Sequence, residues 1–169
     1  ALLGWKRPAR ELMTEIERLL IEQACTRLQT LYCLHADNCD VDAFTALFAD
    51  DGSVAVPEHS AFVGHAAIRA SMQGLVDLRV TMRHVMSNSL IDVKSATFAT
   101  GLCYLTAYGS TAPADDTGAR PMEQPGTIGH YTDEFTRTPQ GWRFQSRALT
   151  RVLRKPDDAV QRAAKTKQN

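Results

Sequence analysis

Tyr32, Asp37 and His84 are polar side chains at positions where the surrounding pattern calls for apolar ones. In the stretch 80–89 one alternating row reads Val80, Met82, His84, Met86, Asn88, and the other Thr81, Arg83, Val85, Ser87, Ser89. Alternate side chains of a strand point to opposite faces, so His84 belongs to the apolar row and faces the core or a cavity within it. Asn88 shares that row. A buried imidazole needs hydrogen-bond partners, and the partner at one ring nitrogen decides whether the other is free to take a proton. The chemistry this offers is general-base removal of a proton inside a pocket; the plainer role is a satisfied core histidine.

The other two residues lie on a helix. Tyr32 follows Leu28 by one turn and extends a buried stripe, which also suits a large apolar body whose hydroxyl finds a partner. Asp37 falls at the helix end, where it is a loop acid or a cap. An acid at a helix C-terminus meets an unfavourable dipole, so a cation or donor is expected beside it, and His84 would supply one.

The elements that must position these residues follow from the hydrophobic period. Leu12, Ile16, Leu19, Leu20, Ala24, Leu28 and Leu31 recur at steps of three and four, with charges between, so a long amphipathic helix runs from about Ala9 to Ala36. Asn38-Cys39-Asp40 breaks it. Asp40 or Asp42 caps a second helix over about 40–49, with Val41, Phe44, Leu47 and Phe48 as its apolar members. Ser53–Val56 is a short strand, and another helix follows Gly64. Then the period becomes two: 79–93, 97–110, 127–138 and 142–153 read as strands. They are joined by hairpin-length turns at 94–96 and 139–141 and by a long Pro-, Gly- and acid-rich loop at 111–126. Gly141 suits a turn that needs positive φ. Helices early and a strand meander late define an α+β class, helices covering one face of a curved sheet. Residues 1–155 form one domain; 156–169 are a polar C-terminal tail.

Composition removes several function classes. Lys and Arg number 19 against 19 Asp and Glu, so no global field favours nucleic acid or an anionic membrane. No apolar run approaches the roughly 20 residues that span a bilayer. The N-terminus reads as too short and interrupted for a secretory signal. Cys25, Cys33, Cys39 and Cys103 have no paired spacing and suit reduced thiols of a cytoplasmic protein. No pair among His35, His59, His65 and His130 has ligand-motif spacing, so no metal is expected. There is no glycine-rich phosphate signature and no Gly-x-Ser-x-Gly elbow. Both rows of strand 98–108 carry apolar residues, which implies a sheet covered on both faces, by helices and by another subunit. On the last strand Arg147 or Arg143 is placed to meet a ligand anion or to serve as a solvated charge.

The runs YCLHAD, DVDAFTALFADDGSV, GHAAIRASM, TMRHVMSNSLIDV and HYTDEFTRTPQGWRF, in this order and spacing, resemble the SnoaL-like branch of the nuclear transport factor 2-like superfamily. The resemblance covers about Ile16 to Leu153. It implies a cone-shaped α+β barrel, a curved mixed sheet wrapped around the helices with an internal pocket. The pattern looks most like bile acid 7α-dehydratases, scytalone dehydratases and hexachlorocyclohexane dehydrochlorinases. The first use a Tyr, an Asp five residues on, and a His on a later strand, and Tyr32, Asp37 and His84 match these one for one. The dehydrochlorinases' Lys has no match, since position 32 is Tyr.

What the resemblance implies is a cofactor-independent lyase or isomerase of dehydratase type. Asp37 would orient His84, His84 would remove a proton, and Tyr32 would meet the oxygen that gains charge or leaves. Leu31, Phe48, Met82 and Met86, with Asn88 and Arg147, would contact a small hydrophobic substrate, polycyclic or steroid-like. A dimer or trimer of identical chains is expected. The alternatives are a non-catalytic subunit like the β subunits of ring-hydroxylating dioxygenases, or a small-molecule-binding module.

Overall fold

A computed structural model describes residues 13–57, 59–122 and 125–155; the expected N-terminal arm and polar tail lie outside them. The first helix, α1, spans Glu15–Asp37. It does not begin near Ala9, because Thr14 and Glu17 close a capping box. The Thr14 hydroxyl accepts from the Glu17 amide at 3.2 Å, and the Glu17 carboxylate accepts from the Thr14 amide at 2.8 Å. The inward face is Ile21, Cys25, Leu28, Gln29, Tyr32, Cys33 and Ala36, each separated from the next by one turn or a neighbouring ridge. The expected stripe is thus corrected in its first half: Ile16, Leu19 and Leu20 are 70%, 61% and 65% exposed. Tyr32 and Leu28 fix the helix's rotation against the sheet, and that rotation carries residues 16, 19 and 20 to the outside.

The end of α1 decides where Asp37 points. The Cys39 amide donates to the Ala36 carbonyl at 3.1 Å and the Asp40 amide to the His35 carbonyl at 2.9 Å, with Cys39 in the left-handed region at φ 57°. This pair of bonds is a Schellman closure with cysteine where glycine is usual. Asp40 immediately caps α2, Val41–Thr45, accepting from the Ala43 amide at 3.1 Å. α2 is shorter than expected. Phe48 leaves it to open β1, Phe48–Ala55, because its backbone aligns with Phe144 of the last strand.

The remaining elements are β2 (Phe62–Val63), α3 (Gly64–Asp77), β3 (Thr81–Val93), β4 (Phe98–Ser110), β5 (Thr127–Thr138) and β6 (Gly141–Arg154). They form one six-stranded sheet in the order β2-β1-β6-β5-β4-β3. The late meander is antiparallel, as its sequence implies. β1 runs parallel to β6 and makes the sheet mixed, a pairing that joins the early chain to its last strand. The core lies between the helices and the inner face, where Phe48, Ile68, Met72, Tyr131, Phe135 and Phe144 are almost wholly buried. No described helix is long and apolar enough to cross a membrane.

Candidate active site

β3 carries His84 across the end of α1, and the two elements meet through Asp37. Asp37 Oδ2 accepts from the His84 backbone amide at 3.0 Å, and Oδ1 lies 2.6 Å from His84 Nδ1. A carboxylate only accepts, so Nδ1 holds the proton and Nε2 is the free nitrogen of the neutral ring. The acid at an unfavourable helix end therefore has its compensating donor. The side chains of His84 and Asp37 are 12% and 10% exposed, so the pair touches the surface while the residues behind it do not.

Behind it sits an aromatic cluster. Tyr32 packs against Phe44 at 4.9 Å between centroids, Tyr131 at 5.5 Å, Phe144 at 6.0 Å and Phe48 at 6.3 Å. Its ring stands edge-on to the His84 imidazole at 6.4 Å. Burial raises the Tyr32 phenol above its ordinary pKa, against the pull of the Arg147 charge and a hydrogen bond with Tyr131. Tyr32 is therefore a neutral donor. Tyr131 is raised well above its ordinary value, again chiefly by burial.

Arg147 is neither solvated nor free. It is 1% exposed, with its guanidinium carbon 4.2 Å from the Tyr32 ring centre, 3.9 Å from that of Tyr131 and 4.8 Å from that of Phe144. Such contacts favour a desolvated cation. Of the apolar residues expected beside the site, Phe48 and Met82 are buried, Leu31 and Met86 partly so. Phe48 touches Tyr32, and Met86 sulfur lies 3.4 Å from Arg147 Nη2.

Asn88 is the correction. The β3–β4 register shifts between Ser87 and Leu90, and Asn88 takes φ 51°, so a bulge breaks the alternation that put it in the row of His84. Asn88 is exposed. Ser89, also exposed, has its hydroxyl on the inner side instead, donating to Gln29 Oε1 at 2.6 Å.

Sequence reasoning missed Asp133, Gln29 and Tyr131. Gln29 Nε2 donates to Asp133 Oδ2 at 2.9 Å, and Asp133 Oδ1 lies 3.6 Å from Arg147 Nε. The signal was present: Asp133 stands between Tyr131 and Phe135 in an inward row, the same anomaly that exposes His84. The other histidines serve elsewhere. His65 Nε2 donates to the Phe48 carbonyl at 2.9 Å and ties α3 to β1; His35 lies 3.7 Å from Asp40. Among the described residues no three His, Cys, Asp or Glu side chains converge on a metal position. A cavity of about 480 Å³ lies on the sheet face turned away from α1, among Leu90, Asp92, Thr100, Leu102 and Thr132, and includes none of Tyr32, Asp37 and His84.

Helices packed on one face of a curved six-stranded mixed sheet, with the last strand parallel to the first long one, define an α+β protein of nuclear transport factor 2-like fold. Residues 17–148 match the SnoaL-like domain family, and the chain belongs to it. No curated protein matches it. Among solved structures it is similar to a Novosphingobium aromaticivorans protein provisionally described as a scytalone dehydratase. The two are 22% identical, with a TM-score of 0.72 over 86% of this chain and 93% of that one. It is similar also to the hexachlorocyclohexane dehydrochlorinase LinA-type3 of Novosphingobium barchaimii, with 16% identity and a TM-score of 0.70 over 86% and 96%. An NTF2-like protein of Novosphingobium aromaticivorans with a cystatin-like fold gives 25% identity and a TM-score of 0.66 over 86% and 90%.

Proposed function

We propose that this chain is a cofactor-independent lyase or isomerase of dehydratase type, with His84 as general base, Asp37 as its orienting carboxylate and Tyr32 as proton donor. The observation that carries the reading is the 2.6 Å contact between Asp37 Oδ1 and His84 Nδ1, which leaves Nε2 as the base. Nε2 removes a proton from carbon beside a carbonyl. The carbonyl oxygen becomes enolate-like, and Tyr32 and Arg147 receive its charge by hydrogen bond and field. The enolate's electron pair then expels the β-hydroxyl, which takes up the proton held on Nε2 and leaves as water, completing a dehydration; return of that proton to another carbon instead completes an isomerisation. The substrate is small and hydrophobic, polycyclic or steroid-like, with Leu31, Phe48, Met82 and Met86 as apolar contacts. It enters beside the exposed edge of the Asp37–His84 pair.

The likeness in fold to dehydratases and dehydrochlorinases supports the class of reaction. The test is turnover of a panel of β-hydroxy ketones and thioesters, including steroid-like ones, by wild type and His84→Ala. Elimination of water by wild type, falling about 10²- to 10⁴-fold in the variant, is the expected result. Equal turnover by both removes His84 from the chemistry. We propose also that the chain works as a dimer or trimer, the sheet's outer face with Leu90, Tyr104 and Ile128, 68%, 51% and 38% exposed, meeting another copy. Sedimentation as a monomer at working concentration would refute it.

A further inference from the structure

Besides the Asp37–His84 contact, the interior holds a pair of opposite charges. The side chains of Arg147 and Asp133 are both 0% exposed, with Nε 3.6 Å from Oδ1. Arg147 Nη2 meets the sulfurs of Met86 at 3.4 Å and Cys103 at 3.3 Å. Its Nε and Nη1 have no hydrogen-bond acceptor among the described residues. A guanidinium is charged at any working pH, so this cation is balanced by ring faces and by one carboxylate rather than by a full set of bonds. Burial opposes its charge, and Asp133, followed by Tyr131, Tyr32 and Cys103, outweighs burial and leaves the Arg147 pKa raised.

Asp133 is held in place by a chain of its own. Gln29 Nε2 donates to it, and Ser89, its hydroxyl brought to the inner side by the bulge at Asn88, donates to Gln29. Gly101 leaves the room: a Cβ there would stand 2.8 Å from the Phe135 ring and 3.3 Å from Gln29 Nε2. Four elements thus converge to fix one carboxylate behind one cation.

We propose that Asp133 is a specificity-determining residue: as the internal counter-ion of Arg147 it makes the site accept a substrate whose reacting end is uncharged, such as a ketone, amide or thioester, and reject carboxylates. This rests on Tyr32, Asp37 and His84 forming an active site. With the Arg147 and Asp133 charges offsetting each other, the Asp37 carboxylate is the anion left at the site. A ground-state anion meets it in a low-dielectric interior, where repulsion is weakly screened. An oxygen that gains charge only during the reaction still finds the unused Nη1 donor, so Arg147 favours the transition state over the bound substrate.

Burial raises the Asp133 carboxyl above its ordinary value, against the Arg147 charge and the Gln29 hydrogen bond, so the test is calorimetric titration on the alkaline side, at about pH 8, with two probes of one shape: naphthamide and the naphthoate of the same ring position. Wild type is expected to bind the amide about tenfold or more tighter than the carboxylate, and Asp133→Asn to lose about tenfold of that preference. The double variant Asp133→Asn with Arg147→Gln, carrying neither charge, is expected to regain it. Wild type preferring the carboxylate, or Asp133→Asn keeping the full preference, overturns the role of Asp133. Binding of neither probe by wild type overturns the active-site reading beneath it. The wild-type comparison decides the charge preference even where a variant fails to fold.

Discussion

Asp37 holds His84 at two points, the backbone amide at 3.0 Å through Oδ2 and the ring Nδ1 at 2.6 Å through Oδ1. One side chain at the last turn of α1 therefore sets both the position of β3 and the tautomer of the imidazole on it. The structural and chemical duties of this carboxylate are separable by substitution.

Asp37→Asn keeps the shape but has one acceptor where the carboxylate has two. The backbone amide and the ring nitrogen then compete for it. The expected outcome is a switch or mixture of tautomers at His84, seen in ¹⁵N shifts of the imidazole nitrogens, with a loss of about 1–3 kcal/mol in denaturant unfolding from the unsatisfied group. An unchanged tautomer with full stability would show that Asp37 does not orient the ring.

Tyr32 separates in the same way. Tyr32→Phe keeps the ring face under Arg147, 4.2 Å from the guanidinium carbon, and loses only the hydroxyl, so it is expected to cost about 0.5–1.5 kcal/mol. Tyr32→Leu loses the ring and is expected to cost about 2 kcal/mol more, the worth of a desolvated cation–π contact. Equal unfolding free energies for the two variants would mean that the Arg147 cation gains nothing from that ring.

The thiols should sort by burial. Burial pushes Cys25 and Cys33 up to about 12 and Cys103 up to about 11, and the thiolate is the reactive form. A folded sample near neutral pH is expected to release colour from a disulfide reagent at a single fast site, the partly exposed Cys39. The slow sites should speed up with rising pH. Fast labelling of more than one thiol per chain in native buffer would contradict the closed core.

The start of α1 rests on the Thr14–Glu17 box. Thr14→Ala is expected to cost about 1 kcal/mol. The backbone amide of Thr14 and then its hydroxyl lower the Glu17 pKa below its ordinary value. A depressed acid stabilises above its unfolded pKa and loses that contribution as pH falls through the folded one. The stability difference between wild type and Glu17→Gln should therefore be present at neutral pH and be lost progressively as pH falls below the ordinary glutamate value of about 4.3. A difference that persists in acid, measured by thermal unfolding, would assign the effect to something other than the carboxylate's charge.

The α+β class, the four-strand meander and the inward-facing row of His84 were legible in the sequence because period and facing are local properties of a strand. Gly141 was legible as a turn for the same reason, and its φ is 113°. Tyr32 was legible as part of a buried face because it continues Leu28 by one turn. What the pattern could not supply was anything that depends on rotation, register or a partner far along the chain. The outward turn of Ile16, Leu19 and Leu20 depends on which face of α1 the sheet takes. The parallel pairing of β1 with β6 and the truncation of α2 depend on a strand nearly a hundred residues on. Asn88 lost its expected place to one extra residue in β3, and a single bulge reverses the parity of everything after it.

By itself, then, the amino-acid order determined the elements and showed three side chains as anomalous on them: a histidine in an apolar row, a tyrosine on a buried stripe and an acid at a helix end. Only the tertiary structure decided which anomalies meet. It joined Asp37 to His84 across 47 positions and set Arg147 over Tyr32 with Asp133 behind it. The reason is energetic: a buried polar group must find its partner in space, and sequence separation does not tell which partner the closed core leaves within reach.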